Sequence, residues 1–196
     1  MKLERASNKA IVYACMNFHY AKRIPLTVIG FSVFNSLNEW CGVITFGYGA
    51  SANMGKPYKL THGKYLELTR VALNGKQGLT SKVVSIAIKL IKKYCPTVQL
   101  LISYADKGQN HKGIIYQAMN WFFVDESISS GNEVFYKGRW VHDRVPNTLP
   151  KEIRDKLEYR KKSGKYKYIY PLDKSLIPMC EGLKKPYPKK QNALVA

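Results

Sequence analysis

"YLELTRVALNGKQGLTSKVVSIAIKLIKKYCPTVQLLISYAD", residues 65–106, changes its apolar period twice. "YLELTRVAL", residues 65–73, reads as a strand. After it the period lengthens. Val83, Val84, Ala87, Ile88 and Ile91 share one helical face, and Lys82, Lys89, Lys92 and Lys93 lie largely off it. Thr80 or Ser81 is expected to cap that helix, because a side-chain oxygen there accepts a first-turn N–H. Pro96 ends it, since proline lacks the N–H and its ring clashes with the turn before. "VQLLISYAD", residues 98–106, is apolar on both faces, as in a strand buried at the centre of a sheet. A long amphipathic helix therefore sits between two central strands.

The pattern extends outward from that unit. "LTVIGFSVF" (26–34) and "EWCGVITFGYGA" (39–50) flank a polar turn and predict an antiparallel hairpin. "HKGIIYQAMNW" (111–121) predicts a short helix that Gly113 weakens, and "WFFV" (121–124) and "EVFYKGRWVHD" (133–143) predict further strands, the latter turning at Lys137–Gly138. There is no internal repeat. The class is α/β in the broad sense, more narrowly α+β: a mixed, mostly antiparallel central sheet with flanking helices. Residues 1–150 are expected to form the main domain. Residues 151–196 differ in character, with thirteen Lys and Arg against five Asp and Glu over 151–191. "KEIRDKLEYRKK" predicts a charged helix, "GKYKYIYPLDK" alternates basic and aromatic residues, and "KKPYPKK" is a basic tail broken by prolines. This stretch is expected to be a basic C-terminal arm packed on or extending from the domain, not a second core.

The chain of 196 residues is 45% hydrophobic, enough for one real core. Its formal net charge is +19. Such an excess repels itself, so an anionic partner is expected, nucleic acid first, with a membrane surface or bare solubility as alternatives. No apolar run approaches the roughly 20 residues that span a bilayer. The opening "MKLERASNKA" lacks the apolar region of a signal peptide, so a cytoplasmic location is expected. Cys15, Cys41, Cys95 and Cys180 match no zinc spacing and are expected to be reduced thiols.

"ISYADKGQNHKGIIYQAMNW", residues 102–121, gathers a hydroxyl, a carboxylate, an imidazole and a phenol at the mouth of the buried strand: Ser103, Asp106, His111 and Tyr116. Asp106 ends the strand, where open sheets bind ligands. Its ordinary use would be as a turn or cap carboxylate. Tyr116 would ordinarily be a core tyrosine with a tethered hydroxyl, and Ser103 a group that satisfies backbone. Glu67 and Arg70 lie on the strand before the helix. A buried acid there suits a general base, but an ion pair between neighbouring elements is the commoner use of such residues. The loop "GKQGLTS" (75–81), with Lys76, Gln77, Gly78, Thr80 and Ser81, either presents backbone N–H groups to a pyrophosphate or is an ordinary strand-to-helix turn.

Three segments together resemble the Mom-type DNA modification proteins of bacteriophages: "FHYAKRIP" (18–25), "ITFGYGASANMGKPY" (44–58) followed by "LELTRVAL" (66–73), and "SYADKGQNHKGIIYQAMNW" (103–121). "KYKYIYPLDK" (165–174) and "PYPK" (186–189) add to the likeness, which covers roughly residues 11–190. The loop 75–81 is richer in glycine than the family's pattern. The resemblance implies a GNAT-like N-acyltransferase fold for residues 1–150, and a reaction on the exocyclic N6 amine of adenine in double-stranded DNA. The implied product carries a carbamoylmethyl group, which shields phage DNA from host restriction enzymes in the bacterial cytoplasm. Acetyl-CoA is the implied carbon source. The two rivals are an N-acetyltransferase acting on another amine and a basic DNA-binding protein without catalysis.

The implied product is joined through the methyl carbon, and an acetyl methyl is not an electrophile. A redox step, a radical or a rearrangement is needed, so a metal, most plausibly iron, is expected. The residues implied are His19, Tyr20, Asp106 and Tyr116, with Ser103 behind them. His19, Tyr20 and Asp106 are the expected metal ligands, in competition with proton-transfer roles in which Asp106 accepts the N6 proton and Tyr116 donates to a thiolate. A paired adenine must be extruded before N6 is reached, so aromatic residues should hold it, with Tyr20, Tyr48, Tyr58 and Trp121 as candidates. Lys22, Arg23, His111, Lys112, Lys161, Lys162, Lys165 and Lys167 are the expected DNA-binding set.

Overall fold

The computed structural model describes residues 1–49, 51–127, 131–143 and 148–189. In chain order the strands are β1 (Lys2–Arg5), β2 (Ile29–Phe34), β3 (Trp40–Gly47), β4 (Tyr65–Leu73), β5 (Leu100–Asp106), β6 (Phe122–Ser127), β7 (Asn132–Tyr136), β8 (Arg139–His142), β9 (Tyr159–Lys161) and β10 (Lys165–Pro171). The helices are α1 (Asn8–Asn17), α2 (Thr80–Tyr94), α3 (Ile114–Gln117), α4 (Lys151–Arg154) and α5 (Ile177–Leu183). Seven strands form one sheet in the order β1-β2-β3-β4-β5-β10-β6, and β8-β7-β9 form a small second sheet. Within the large sheet only β4 and β5 run parallel, because α2 crosses between them.

The period change at residue 80 corresponds to α2. Its buried stripe is Val83, Val84, Ala87, Ile88 and Ile91, packed in one core with Phe31, Phe46, Leu66 and Leu101. Burying each such side chain stabilises the fold by about 1.5–3 kcal/mol. The opposite face of β3 and β4 is covered by α1, whose Ile11, Ala14 and Cys15 meet Val43 and Ala72. That helix was not expected from its mixed pattern, although Ser7 caps it by accepting a hydrogen bond from Ala10 N–H at 3.2 Å.

Two expectations are corrected. Thr80 and Ser81 do not cap α2. The cap position is Leu79, without a side-chain bond, and the Thr80 hydroxyl instead accepts from Gln77 Nε2 at 3.0 Å. "KEIRDKLEYRKK" is not a continuous helix: only Lys151–Arg154 is helical, and Tyr159–Lys161 pairs with β7. The short helix α5 near the C-terminus was not foreseen.

The basic stretch from residue 151 packs into the fold. Its strand β10 lies between β5 and β6, pairing Tyr168 with Ser103 on one side and with Phe123 on the other. Strand alternation gives its two faces different work. Tyr166, Tyr168 and Tyr170 pack into the core beneath α2, while Lys165 and Lys167 cross to the other face over the rings of Tyr104 and Tyr58. Beyond it, Tyr187 donates to Trp121 O at 2.8 Å and Lys185 N–H to Phe123 O at 2.8 Å, so the proline-broken tail straps β6. Residues 190–196 of the expected arm lie outside the described residues. The four cysteines are free thiols. No helix among the described residues is long and apolar enough to cross a membrane.

A chain ending at residue 164 would lose the strand that joins β5 to β6. Its circular-dichroism melt is expected to show no cooperative transition. An appended arm, by contrast, could be removed with the transition intact.

Candidate active site

Strands β4 and β5 pair only at Tyr65–Glu67 with Leu100–Ile102, then part. Each is held on its far side, β4 by β3 as far as Leu73 and β5 by β10 as far as Asp106. A cavity of about 560 Å³ opens at the fork. Its walls are Glu67–Val71, Tyr104–Asp106, the run Asn110–Tyr116, the loop Phe18–Tyr20 after α1, and Lys165.

Tyr116 forms the wall on the α2 side. Gly113, at φ +71°, turns the chain into α3 where any Cβ would strike the Tyr168 ring. The Tyr168 hydroxyl donates to Lys112 O at 2.5 Å, fixing that turn. Tyr116 is then packed on Trp121 and Tyr168 at ring distances of 5.1 and 5.2 Å. Its hydroxyl lies 2.8 Å from Ser103 Oγ, which is 3.1 Å from Leu68 O. Ser103 therefore bridges the two strands one residue past their last pair. A serine has a single hydroxyl proton, so when it goes to the Leu68 carbonyl, Tyr116 is the donor to Ser103. Burial pushes the Tyr116 phenol up to about 12, against a lowering by the Ser103 bond. Tyr116 is thus both a core residue and a protonated phenol in the cavity wall.

Asp106 faces the other side. Its Oδ1 accepts from Gly108 N–H at 2.9 Å and from the Ser163 hydroxyl at 2.9 Å, capping the turn Lys107–Gln109. Its Oδ2 accepts from the Tyr20 hydroxyl at 3.2 Å. The turn-cap role and a place in the site are therefore combined in one carboxyl group. Burial and the neighbouring Asp106 raise the Tyr20 phenol's pKa. The Tyr20 ring stacks on His19 at 4.3 Å and meets the His111 edge at 5.5 Å. His19 Nδ1 accepts from Ala21 N–H at 3.1 Å, which places the neutral ring's proton on Nε2. Burial first, then Arg70 and His111, depress His19 to about 4 against an upward pull from Asp106.

Glu67 and Arg70 also line this cavity, and the expected ion pair is not formed. Among the described residues neither has an ion-pair partner: Arg70 Nη1 donates to Thr69 O at 2.6 Å, and its Nε is buried without an acceptor. Burial raises the Glu67 carboxyl, against lowering by Lys165 and Arg70. The signal for these two was present in the sequence, as two ionisable residues interrupting a strand otherwise rich in aliphatics. Tyr104 was passed over. It lines the cavity from β5, its phenol pushed up to about 12 by burial and then by Glu67 and Asp125.

The fork thus brings together His19, Tyr20, Asp106, Tyr116, His111, Lys112 and Lys165, with Ser103 directly behind Tyr116. Lys22 and Arg23 are exposed in the loop that continues from Tyr20. Lys161 lies on β9 in the small sheet, with Lys162 next to it, and Lys167 is half-buried over Tyr58. Lys76, Gln77, Gly78, Thr80 and Ser81 precede or open α2 and do not line the cavity. Of the four aromatic candidates Tyr20 alone lines it: Trp121 and Tyr58 are buried in cores, and Tyr48 packs on His62 at 4.0 Å.

Iron is not supported by these side chains. Among the described residues no three His, Cys, Asp or Glu converge to hold a metal ion. His19 has its proton on the nitrogen that would face a metal, and the Tyr20 phenol holds its proton toward Asp106 rather than offering a phenolate.

The Mom protein family model matches residues 1–189. The chain belongs to the Mom family. It is 30% identical over 138 residues to the methylcarbamoylase Mom of Escherichia phage Mu, a match covering 67% of this chain and 55% of that protein. The chain thus spans about half the length of that relative. In fold it resembles N-acetyltransferases. One is described as a putative phosphinothricin N-acetyltransferase, with TM-score 0.54 and 11% identity over 88% of this chain and 99% of that one. Another is a Bacillus subtilis acetyltransferase crystallised with CoA, with TM-score 0.51 and 10% identity over 87% of this chain and 98% of that one. These likenesses establish the acetyltransferase-like fold of this Mom-family chain.

The His19 environment has a measurable consequence. Its ring protons should titrate near pH 4 in NMR rather than near 6.5. Between those values the unfolded chain binds a proton that the folded chain does not, so stability should fall on acidification from about pH 6.5 toward 4. His19→Gln should flatten that part of the profile of melting temperature against pH.

Proposed function

We propose that this chain is a transferase that converts the N6 amine of adenine in phage DNA to its carbamoylmethyl derivative, with an acyl-CoA as carbon source. Shielding from host restriction in the bacterial cytoplasm is the purpose. The observation that carries this reading is the cavity at the fork of β4 and β5, lined by residues from both faces of the sheet, in a chain of the Mom family. In this reading the acyl-CoA enters beside α2, its pyrophosphate held by the uncapped first turn of that helix with Lys76, Gln77, Gly78, Thr80 and Ser81. The extruded adenine enters from the opposite face and stacks on the Tyr20–His19 pair.

Two proton-handling groups then meet at the fork. The Asp106 carboxyl, beside the stacking pair, accepts the proton that leaves N6. Joining the acetyl methyl carbon to N6 also takes a two-electron oxidant, and the amide takes ammonia-level nitrogen, both supplied as co-reactants. Tyr116, protonated at neutral pH, donates to the CoA sulfur as that nitrogen displaces it. Neutral His19 offers its Nε2–H as a hydrogen-bond donor to the base. His111, Lys112 and Lys165 at the rim, with Lys22 and Arg23 beyond it, neutralise the phosphates on either side of the target. Lys161, Lys162 and Lys167 extend the basic surface and are assigned no contact nearer the base.

The test is a nucleoside digest of DNA from bacteria expressing the chain, read by mass spectrometry. Carbamoylmethyl-deoxyadenosine is expected. Simple N-acetylation would instead make the chain an ordinary acetyltransferase. Asp106→Ala and Tyr116→Phe should each lower the modified fraction by about 10²–10⁴-fold, the usual loss for a general acid or base. Binding to DNA should survive both changes. Parent levels of modification in these variants would remove the two residues from the catalytic set.

A further inference from the structure

The loop Lys22–Val28 leaves the active site and shows large aliphatic side chains to solvent. Leu26 is 85% exposed, Ile24 53% and Val28 42%. A slack loop can turn such residues inward, but this one is anchored along its backbone. Lys22 N–H donates to His19 O at 3.1 Å, Val28 N–H to Phe46 O at 2.8 Å, and the Thr27 hydroxyl to Pro25 O at 3.1 Å. Lys22 itself is held at φ +42°, in the left-handed region. The Leu26 carbonyl lies so close to Gly47 that any Cβ there would collide with it, and the same Cβ would touch the Thr69 methyl at 3.6 Å. Thr69 lines the cavity, so the loop is fixed at its rim. Two cations, Lys22 and Arg23, immediately precede the apolar tip.

Exposed aliphatics on a fixed, cation-flanked loop suit one occupant in a protein of net charge +19: the base stack of a nucleic-acid duplex. Extruding a base leaves a gap, and architectural and base-flipping proteins fill such gaps with Leu, Ile or Pro side chains. We propose that Lys22–Val28 is a duplex-opening wedge: Ile24 and Leu26 enter the stack beside the target adenine, while Lys22 and Arg23 hold the adjoining phosphates. The proposal rests on the reading of the chain as a DNA-modifying enzyme. It assigns the loop no part in chemistry, only in delivering a paired base to the cavity.

The test compares the parent with Leu26→Ser and with the double variant Ile24→Ser and Leu26→Ser. Both sites are exposed, so the melts should match the parent. Leu26→Met, which keeps an apolar tip, serves as the rescue. The first readout is permanganate oxidation of thymines in duplex DNA, which marks the unstacked partner of an extruded adenine and needs no acyl donor. The parent and Leu26→Met should create reactive thymines, and the serine variants should lose about tenfold or more of that signal. The second readout is adenine modification in a clarified bacterial extract, on the same DNA either native or heat-denatured. The serine variants should lose modification of native DNA by a similar factor and keep the parent's level on denatured strands, where no base needs extruding. Parent-like thymine reactivity in the serine variants would overturn the wedge. So would loss of modification on native and denatured DNA alike. If the parent modifies no adenine yet opens duplexes, and the serine variants do not, the wedge stands and the enzymatic reading falls.

Discussion

Everything in this molecule turns on where β4 lets go of β5. Three residues pair on each strand, then the strands diverge, each still bonded to its outer neighbour. Parting a sheet exposes backbone groups that must find partners. Side chains meet part of that demand. The Leu68 carbonyl accepts from Ser103 Oγ and the Thr69 carbonyl from Arg70 Nη1, the first two carbonyls past the last pair. The fork is therefore a built feature, kept open by residues whose polar ends replace ladder bonds. β10 makes it possible, since without that strand β5 would be an edge and could drift.

The charged residues of the cavity are held at a cost in stability. Arg70 Nε is buried with no acceptor, and an unpaired buried donor costs about 1–3 kcal/mol. Glu67 shares the cavity without forming an ion pair with it, and burial raises its carboxyl. His19 is kept neutral by burial and by Arg70. Pairing Glu67 with Arg70 would relieve both groups. The structure instead leaves them as separate polar walls of the cavity.

The sequence carried the central unit well because its signals are local. The change of period over residues 65–106, Pro96 after the helix and the apolar run 98–106 all act within a few residues, and β4, α2 and β5 match them. Residues 165–171 were harder. Lys165 and Lys167 alternating with tyrosines suggest an exposed basic strand, and the register that buries Tyr168 and Ile169 is set by Ser103, Ile102 and Phe123, far away in the chain. The helix α2 begins at Thr80 itself, so the cap position falls on Leu79, which has no side-chain acceptor, and the Thr80 hydroxyl accepts from Gln77 instead. In the site, His19, Tyr20, Asp106 and Tyr116 were suggested by family likeness, and the fold gathers them from three separate segments. Glu67 and Arg70 were set aside because ionisable residues on adjacent strands usually pair with a neighbour, and only the opening of the fork shows why these do not.

Strand geometry also explains why the groups divide as they do. Side chains on a strand alternate between faces, so residues an odd number apart point opposite ways. On β5, Ser103 faces the α2 side with Tyr116 and Tyr168, while Tyr104 and Asp106 face the side reached by His19 and Tyr20. In an intact sheet those two groups could never act on one molecule, because a continuous ladder would lie between them. Parting β4 from β5 removes the ladder just there. Residues of both faces then line one cavity, with the Tyr116 phenol on one side and the Asp106 carboxyl on the other. Aromatic packing backs the fork, where the Tyr116 ring lies tilted against both Trp121 and Tyr168. A slot one strand wide works only if neither wall can relax into it.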